Sequence, residues 1–158
     1  MNSIVTYGSR HGNTRRIAEA IASELRRHGT AHLFAIDEVP SALPKADLVV
    51  VGGPTEAHRM TQAMVEFFNQ FGKGELEGIA AAGFDTRLGW PRWLSGSAAT
   101  GITARLRQAG ATVIGPEGTF IVAGKHPVLE PGELERATAW AATLAAQVES
   151  RAPAEAIR

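Results

Sequence analysis

The chain has 158 residues, which is the size of one domain with room for a sizeable core. Its 16 basic and 16 acidic residues balance, so no net field attracts nucleic acid or anionic lipid, and the absence of cysteine excludes disulfides, thiol catalysis and thiolate metal sites. No apolar run approaches the ~20 residues of a membrane span, and the N-terminus lacks a signal-peptide pattern. A soluble, cytoplasmic protein is therefore expected.

The first predicted element is a short apolar strand, followed by a polar loop and a helix. Ile4, Val5 and Tyr7 favour a buried strand. The loop reads Ser9-Arg10-His11-Gly12-Asn13-Thr14. Apolar residues then recur at helical spacing, and Gly29 is expected to end the helix. Because a helix N-terminus carries free N–H groups and the positive end of the helix dipole, this loop is suited to a phosphate. The alternative is an ordinary N-cap turn without a ligand.

The middle of the chain alternates strands and helices. A second strand is predicted at residues 31–36, followed by a proline-containing loop at 37–45. The apolar run 47–53 is typical of a strand in the middle of a parallel sheet. We expect residues 54–59 to form a loop and residues 60–71 to form a helix whose apolar stripe faces the core.

The second half continues this alternation. A strand rich in small residues is predicted at 78–84, then a long loop at 85–95 and a helix, capped by Ser95 or Ser97, that ends at residue 108. The remaining predicted elements are a split strand at 111–114 and 119–122, a helix at 131–149 and a frayed tail from residue 150. We therefore expect one domain over residues 1–150 and a flexible tail over 151–158.

Five strands alternating with helices predict a doubly wound, parallel α/β sheet with helices on both faces. The strand order 2-1-3-4-5 is one of the two common orders, and it puts a ligand site outside the carboxyl ends of the strands. The loops at 8–14, 54–60 and 85–95 all follow strand ends, so we expect them to converge on one edge. The chain contains neither Gly-x-x-x-x-Gly-Lys-Ser/Thr nor Gly-x-Gly-x-x-Gly, which excludes the usual ATPase and dinucleotide loops.

These three loops together resemble those of the flavodoxin family. The first resembles the hydroxyl-x-hydroxyl-Gly-x-Thr loop that holds the phosphate of FMN, with His11 where a hydroxyl is usual. Gly52-Gly53-Pro54-Thr55 resembles the loop beside the flavin ring. The third, in which Asp85 precedes two tryptophans, resembles the ring-binding loop. The resemblance implies a short-chain flavodoxin fold and non-covalent binding of FMN.

The resemblance also implies which residues surround the cofactor. The phosphate would be held by backbone N–H groups and side chains of Ser9, Arg10, His11, Gly12, Asn13 and Thr14. The ribityl chain and one edge of the ring would be lined by Pro54, Thr55 and Glu56. Backbone contacts to the pyrimidine edge would come from Phe84, Asp85 and Thr86, and a ring face would be covered by Trp90 or Trp93. The tryptophans could instead only pin the long loop to the surface. No catalytic residue or metal ligand is predicted.

The chain departs from the flavodoxin pattern in three ways. It is neutral, whereas flavodoxin electron carriers are typically acidic. Residues 56–59 contain no glycine, and a positive φ costs alanine or histidine more free energy than glycine. Arg87 and Arg92 lie in the ring loop, with His58 and Arg59 opposite. Because a reduced flavin is an anion, these cations predict a less negative reduction potential than that of a flavodoxin carrier.

Three functions agree with these observations. The first is an FMN-containing electron carrier that docks onto a redox partner protein. The second is a small FMN-dependent oxidoreductase that acts on a quinone-like substrate, similar to a quinone reductase or a protoporphyrinogen oxidase. The third is a cofactor-free flavodoxin-like interaction module. None of them involves nucleic acid or a membrane span.

Overall fold

The computed structural model describes residues 1–156 of the chain. The strands are β1 (Asn2–Tyr7), β2 (Thr30–Ala35), β3 (Leu48–Glu56), β4 (Arg59–Met60), β5 (Ala80–Leu88), β6 (Thr112–Val113), β7 (Gly118–Ala123) and β8 (Val128–Leu129). The helices are α1 (Asn13–Leu25), α2 (Gln62–Asn69), α3 (Arg92–Ser95), α4 (Ala98–Gln108) and α5 (Glu133–Ala156), with a 3₁₀ turn at Arg26–His28 after α1.

The sheet has the doubly wound order predicted from the sequence. Its strands lie in the order β2-β1-β3-β5-β7-β8, and all neighbours are parallel except the β7–β8 pair. The five long parallel strands therefore follow the predicted order 2-1-3-4-5. The short strands β4, β6 and β8 are additions at the margins of this sheet. The α/β fold class and the strand order are confirmed.

Helices cover both faces of the sheet because successive side chains of a strand point to opposite faces. Val50 packs into one core with α1 and α5, whereas Val49 and Val51 pack into a second core with α2 and α4. This explains why residues 47–53 are apolar without alternation, as expected of a strand covered on both sides.

Two strands extend further than predicted at their carboxyl ends. β3 continues through Glu56 because Thr55 and Glu56 pair with Met60 and Arg59 in an antiparallel hairpin. β5 continues through Leu88 because residues 85–88 pair with β7. The predictions that loops begin at residues 54 and 85 are therefore wrong. The edge strands that satisfy these backbone groups are short and give weak signals in the sequence.

The other predicted elements are close to those in the structure. Gly29 ends the turn after α1, and the fifth strand is split, with β6 and β7 pairing with different halves of β5. α2 begins later than predicted because the Thr61 side chain caps it, accepting a hydrogen bond from the Met64 N–H at 3.3 Å.

The C-terminal helix is longer than expected. α5 continues to Ala156, where the sequence analysis expects a frayed tail. The last two residues of that predicted tail lie outside the described residues, and the domain boundary at residue 150 stays a prediction. Within residues 1–156, no helix is long and apolar enough to cross a membrane.

Candidate functional site

The loop between β1 and α1 presents a helix N-terminus at the carboxyl edge of the sheet. Gly12 is the N-cap residue of α1 with a φ of 83°, which is the left-handed region that favours glycine. In the described part of the chain, no side chain caps the first turn. The N–H groups of that turn have no intrahelical acceptor, so the loop offers donors and the positive helix end to an anion.

Three predicted phosphate ligands in this loop make bonds within the protein. The Ser9 Oγ accepts a hydrogen bond from the Gly12 N–H at 3.1 Å. The Thr14 and Thr86 hydroxyls are 2.9 Å apart and buried, and the Asn13 Nδ2 donates to the Pro127 carbonyl at 2.8 Å. These side chains brace the loop against β5 and against the hairpin between β7 and β8.

Three arginines of the first loop and helix turn are exposed: Arg10, Arg15 and Arg16. Arg10 forms an ion pair with Glu56, with 3.0 Å between Nη1 and Oε2. The Arg15 Nε donates to the Glu19 carboxylate at 2.9 Å, and this bond is the main reason why the pKa of Arg15 is raised. The Arg10 and Arg15 guanidinium groups lie near the N-terminus of α1, each paired with a carboxylate.

The first loop and the β3–β4 hairpin line one cavity of about 480 Å³. This volume lies within the usual range of small-molecule sites. Its lining includes Tyr7, Gly8, Ser9, Arg10, Pro54 and Glu56. A larger cavity of about 780 Å³, lined by residues 41–47 and 75–80, lies at the opposite edge. Because open α/β sheets bind ligands at the carboxyl ends of their strands, the smaller cavity is the candidate site.

The β3–β4 hairpin turns at Ala57 and His58, which have φ values of 46° and 70°. Two positive φ angles are what a type I′ hairpin turn requires. The glycine-free segment therefore adopts the conformation that the sequence analysis expects to be unfavourable for alanine and histidine. The pairing of β3 with β4 holds the turn in place.

The hairpin packs against the segment that follows β5, residues 89–97. Gly96 has a φ of 70°, and a Cβ atom there would clash with the His58 backbone. The Thr55 hydroxyl oxygen accepts a hydrogen bond from the Ala98 N–H at 2.8 Å. The second predicted loop is therefore in direct contact with residues 96–98, which directly follow the third predicted loop.

The Asp85 side chain binds residues on both sides of this contact. Its carboxylate is fully buried and accepts hydrogen bonds from the hydroxyls of Thr55, Ser97 and Thr119 and from the Ala99 N–H. These four donors come from three segments of the chain: β3, the start of α4 and β7. Asp85 therefore holds the carboxyl edge together, and its side chain is fully occupied by protein donors.

Phe84 and Thr86, the other two residues predicted to contact the pyrimidine edge, lie in β5 and pair with both β3 and β7. The Phe84 ring packs in the core against Phe120 and Trp140. The register between β3 and β5 ends at the pair of Pro54 and Thr86. In the described part of the chain, residues 87 and 88 of β5 have no pairing partner in β3.

The segment after β5 carries an exposed apolar patch. Trp90 is 56% exposed and Trp93 is 84% exposed, and Leu88 and Leu94 beside them are also exposed. Arg87 fastens this segment, because its Nη1 donates to the Trp90 carbonyl at 2.8 Å and to the Ser95 hydroxyl at 3.0 Å.

Several contacts of this edge were not predicted from the sequence, although Asn13 and Thr86 themselves were predicted as site residues. Gly96 and the Thr86 hydroxyl act through contacts with distant segments, and the Asn13–Pro127 bond joins residues 114 apart in the chain. No local pattern signals such contacts. The hydroxyl-rich composition around Asp85 is the one signal that could have indicated a shared hydrogen-bond partner.

The amino-acid sequence matches the model of a known protein family. A family model described as a flavodoxin domain matches residues 4–89, which is more than half of the chain and includes the first two loops of the site. The chain belongs to the flavodoxin domain family. No curated protein sequence matches it.

Solved structures show the same flavodoxin architecture. A flavodoxin from the domain Archaea is 21% identical with a TM-score of 0.71, and the match covers 94% of this chain and 99% of that one. Oxidised flavodoxin 1 from Bacillus cereus is 21% identical with a TM-score of 0.75, covering 90% and 95%. A WrbA-like flavodoxin from Agrobacterium tumefaciens is 21% identical with a TM-score of 0.70, covering 94% and 98%. At these identities the likeness shows the fold.

Proposed function

We propose that this flavodoxin domain binds FMN non-covalently and transfers electrons through it. The observation that carries the proposal is the uncapped first turn of α1, whose preceding loop residues Ser9 and Arg10 line a cavity together with Pro54 and Glu56 at the carboxyl edge. In the described part of the chain, no heavy atom of any residue outside 11–13 lies within 4 Å of the position that a Cβ of Gly12 would take. The front of the loop therefore has room for a phosphate.

Backbone N–H groups of residues 9–14 would hold that phosphate, as they do at other anion-binding helix N-termini. Arg10 and His11 are exposed beside them, and Arg10 is held there by its ion pair with Glu56. The buried Thr14 and Asn13 side chains keep the loop in shape through their bonds to Thr86 and Pro127. This division of roles makes the phosphate the main anchor of the cofactor.

The rest of the cofactor would lie between the hairpin and the segment after β5. Pro54, Thr55 and Glu56 would line the ribityl chain and one edge of the ring. Contacts to the pyrimidine edge remain proposed for residues 84–86, and the end of the β3 pairing at Thr86, within the described residues, supports extending them to Arg87. Trp90 or Trp93 would cover a ring face, which contributes about 0.5–1.5 kcal/mol beyond area burial. FMN supplies the redox chemistry when bound, and the protein supplies binding and electrostatics.

The partner is either a redox protein or a small quinone-like molecule. The exposed patch of Leu88, Trp90, Trp93 and Leu94 beside the proposed ring position supports a contact of either kind. An FMN-dependent oxidoreductase is therefore the second candidate function. Oxidation of NADPH that depends on an added quinone would indicate the enzyme, whereas reduction only by a partner reductase would indicate the carrier. We expect the protein to act in the cytoplasm.

The visible absorption spectrum tests the proposal, recorded on the purified protein and again after FMN addition and desalting. We expect retained flavin absorbance that Arg10→Glu weakens. Arg26→Glu is the matched control, because it reverses an exposed charge at the other end of α1, about 20 Å away. A colourless protein that does not retain added FMN would contradict the proposal and favour the cofactor-free interaction module.

A further inference from the structure

The cations around the candidate site differ in whether a carboxylate neutralises them. Arg10 pairs with Glu56, and Arg92 pairs with Glu117 at 2.6 Å. Arg59 lies directly opposite Glu56 in the β3–β4 hairpin. In the described part of the chain, no carboxylate lies within 4.0 Å of the Arg87 guanidinium group.

Among the described residues, the hydrogen-bond acceptors of Arg87 are all neutral. Its Nη1 donates to the carbonyls of Leu88 and Trp90 and to the Ser95 hydroxyl, at 3.3, 2.8 and 3.0 Å. Its Nε is buried, and within the described residues it has no acceptor. Asp85, two residues earlier on the same face of β5, is occupied by the hydroxyls of Thr55, Ser97 and Thr119. A half-buried cation without a counter-ion is unfavourable unless an anion approaches it.

The position of Arg87 indicates which anion this is. It is the first residue of β5 beyond the register with β3, and it fastens the segment that carries Trp90 and Trp93. A flavin ring between the hairpin and this segment would lie beside its guanidinium group. Oxidised FMN has a neutral ring, whereas two electrons and one proton convert it to a reduced form whose ring carries one negative charge. Arg87 therefore favours the reduced form over the oxidised one.

We propose that Arg87 sets the reduction potential of the bound flavin by serving as the counter-ion of its reduced ring. This inference rests on the proposed binding of FMN. Arg87 acts through its charge on the ring and, through Trp90 and Ser95, as a positioning residue for the tryptophan segment. Of the other arginines at this edge, Arg10 and Arg92 are paired with carboxylates and contribute less, whereas Arg59, opposite Glu56 in the hairpin, forms no ion pair within 4.0 Å among the described residues.

Two variants remove the free charge by different routes. Arg87→Gln deletes the cation, and Ser95→Asp supplies the missing carboxylate next to Nη1 while leaving Arg87 in place. Each should weaken binding of reduced FMN about tenfold while changing binding of oxidised FMN less than about threefold. By linkage, a tenfold change corresponds to a potential about 30 mV more negative for this two-electron couple.

Each variant has a matched control. Ser95→Asn has the shape of the aspartate without its charge. Arg105→Gln removes a guanidinium group that donates to the Asn69 side chain, in the last turn of α4 and about 10 Å along that helix from its start beside Thr55. Both controls should leave the affinity ratio for the two redox forms within threefold of the original protein. Because Ser95→Asp keeps Arg87, the proposal stays testable even if Arg87→Gln does not fold.

The measurement is the pair of dissociation constants for oxidised FMN and for dithionite-reduced FMN without oxygen, together with the reduction potential of the complex. A selective loss of reduced-form affinity in Arg87→Gln or Ser95→Asp, absent from both controls, supports the proposal. If FMN binds but these variants change the affinity ratio no more than their controls, the role of Arg87 is overturned and FMN binding stands. If neither form of FMN binds to the original protein, both proposals fail.

Discussion

Two threonine hydroxyls, buried and 2.9 Å apart, join the first turn of α1 to β5. Each is the hydrogen-bond partner of the other, so removing one leaves the other buried without a partner. Such a group costs about 1–3 kcal/mol, whereas replacing both partners by apolar groups of the same shape can be nearly neutral. Replacing one threonine of the Thr14–Thr86 pair is therefore expected to destabilise the protein more than replacing both.

Thr14→Val is expected to lower the free energy of unfolding by about 1–3 kcal/mol, and the double variant Thr14→Val/Thr86→Val by less than the sum of the two single changes. Thr6→Val is the matched control, since the Thr6 hydroxyl is also buried but has no partner among the described residues. That change should be neutral or stabilising. Urea unfolding measures all four variants, and additive losses would contradict this account.

His58 is a second residue whose conformation has an energetic consequence. Its φ of 70° is unfavourable for a side chain with a Cβ, by about 1–2 kcal/mol, and glycine adopts this conformation freely. His58→Gly should therefore raise the free energy of unfolding by about 0.5–1 kcal/mol after the entropy of glycine is subtracted. Arg59→Gly, one residue later in β4, should lower it, because no positive φ is relieved there. A destabilised His58→Gly variant would show that the histidine side chain makes a larger contribution than the backbone.

At the level of elements, the β3–β4 hairpin and the segment after β5 act as one unit because they touch at Gly96. Both Gly96 and Gly132 have positive φ values, 70° and 86°, but only at Gly96 would a Cβ meet other backbone atoms. Gly132→Ala should therefore lower the free energy of unfolding by about 1 kcal/mol through backbone conformation alone.

Gly96→Ala should lower it by about 1–3 kcal/mol more than Gly132→Ala does, because the hairpin must move away from the new methyl group. It should also weaken FMN binding, since the proposed ring position lies between these two segments. Thermal unfolding followed by an FMN titration measures both effects. Equal losses of stability in the two variants would contradict the close contact.

The same contact shows how far the sequence predicts the elements. The apolar runs and helical spacing predict the long strands and the helices, since these signals are local. The type I′ turn at Ala57 and His58 is not predictable in this way, because neither residue is a usual choice for a positive φ. The end of β5 is likewise hidden, because its strand conformation depends on pairing with distant segments: residues 85 and 86 pair with both β3 and β7, and residues 87 and 88 pair with β7.

At the level of the whole molecule, strand order alone brings the three loops together. Alternating strands and helices allow few connections, so the doubly wound topology and the shared edge follow from chain order. What holds the edge in shape depends on contacts between distant segments, such as the four donors to Asp85 and the Asn13–Pro127 bond. These contacts are not predictable from the sequence, because each involves short polar side chains or backbone groups and no local pattern indicates which distant segment supplies the partner.

A bound cofactor should stabilise the whole domain by mass action. FMN at 100 times its dissociation constant is expected to raise the free energy of unfolding by about 2.7 kcal/mol, provided that the unfolded chain does not bind it. Thermal unfolding at several FMN concentrations measures this, with Arg10→Glu as the variant expected to need more FMN for the same shift. A midpoint independent of FMN concentration would argue against specific binding.

The central claim, that the N-terminus of α1 anchors the cofactor by its phosphate, is tested most directly by titrating the protein with FMN and with riboflavin side by side. Riboflavin has the same ring and ribityl chain but no phosphate. Since hydrogen bonds to a charged group contribute about 1.5–3 kcal/mol each, we expect FMN to bind at least about 100-fold more tightly. Equal affinities for the two ligands, or tighter binding of riboflavin, would contradict the account.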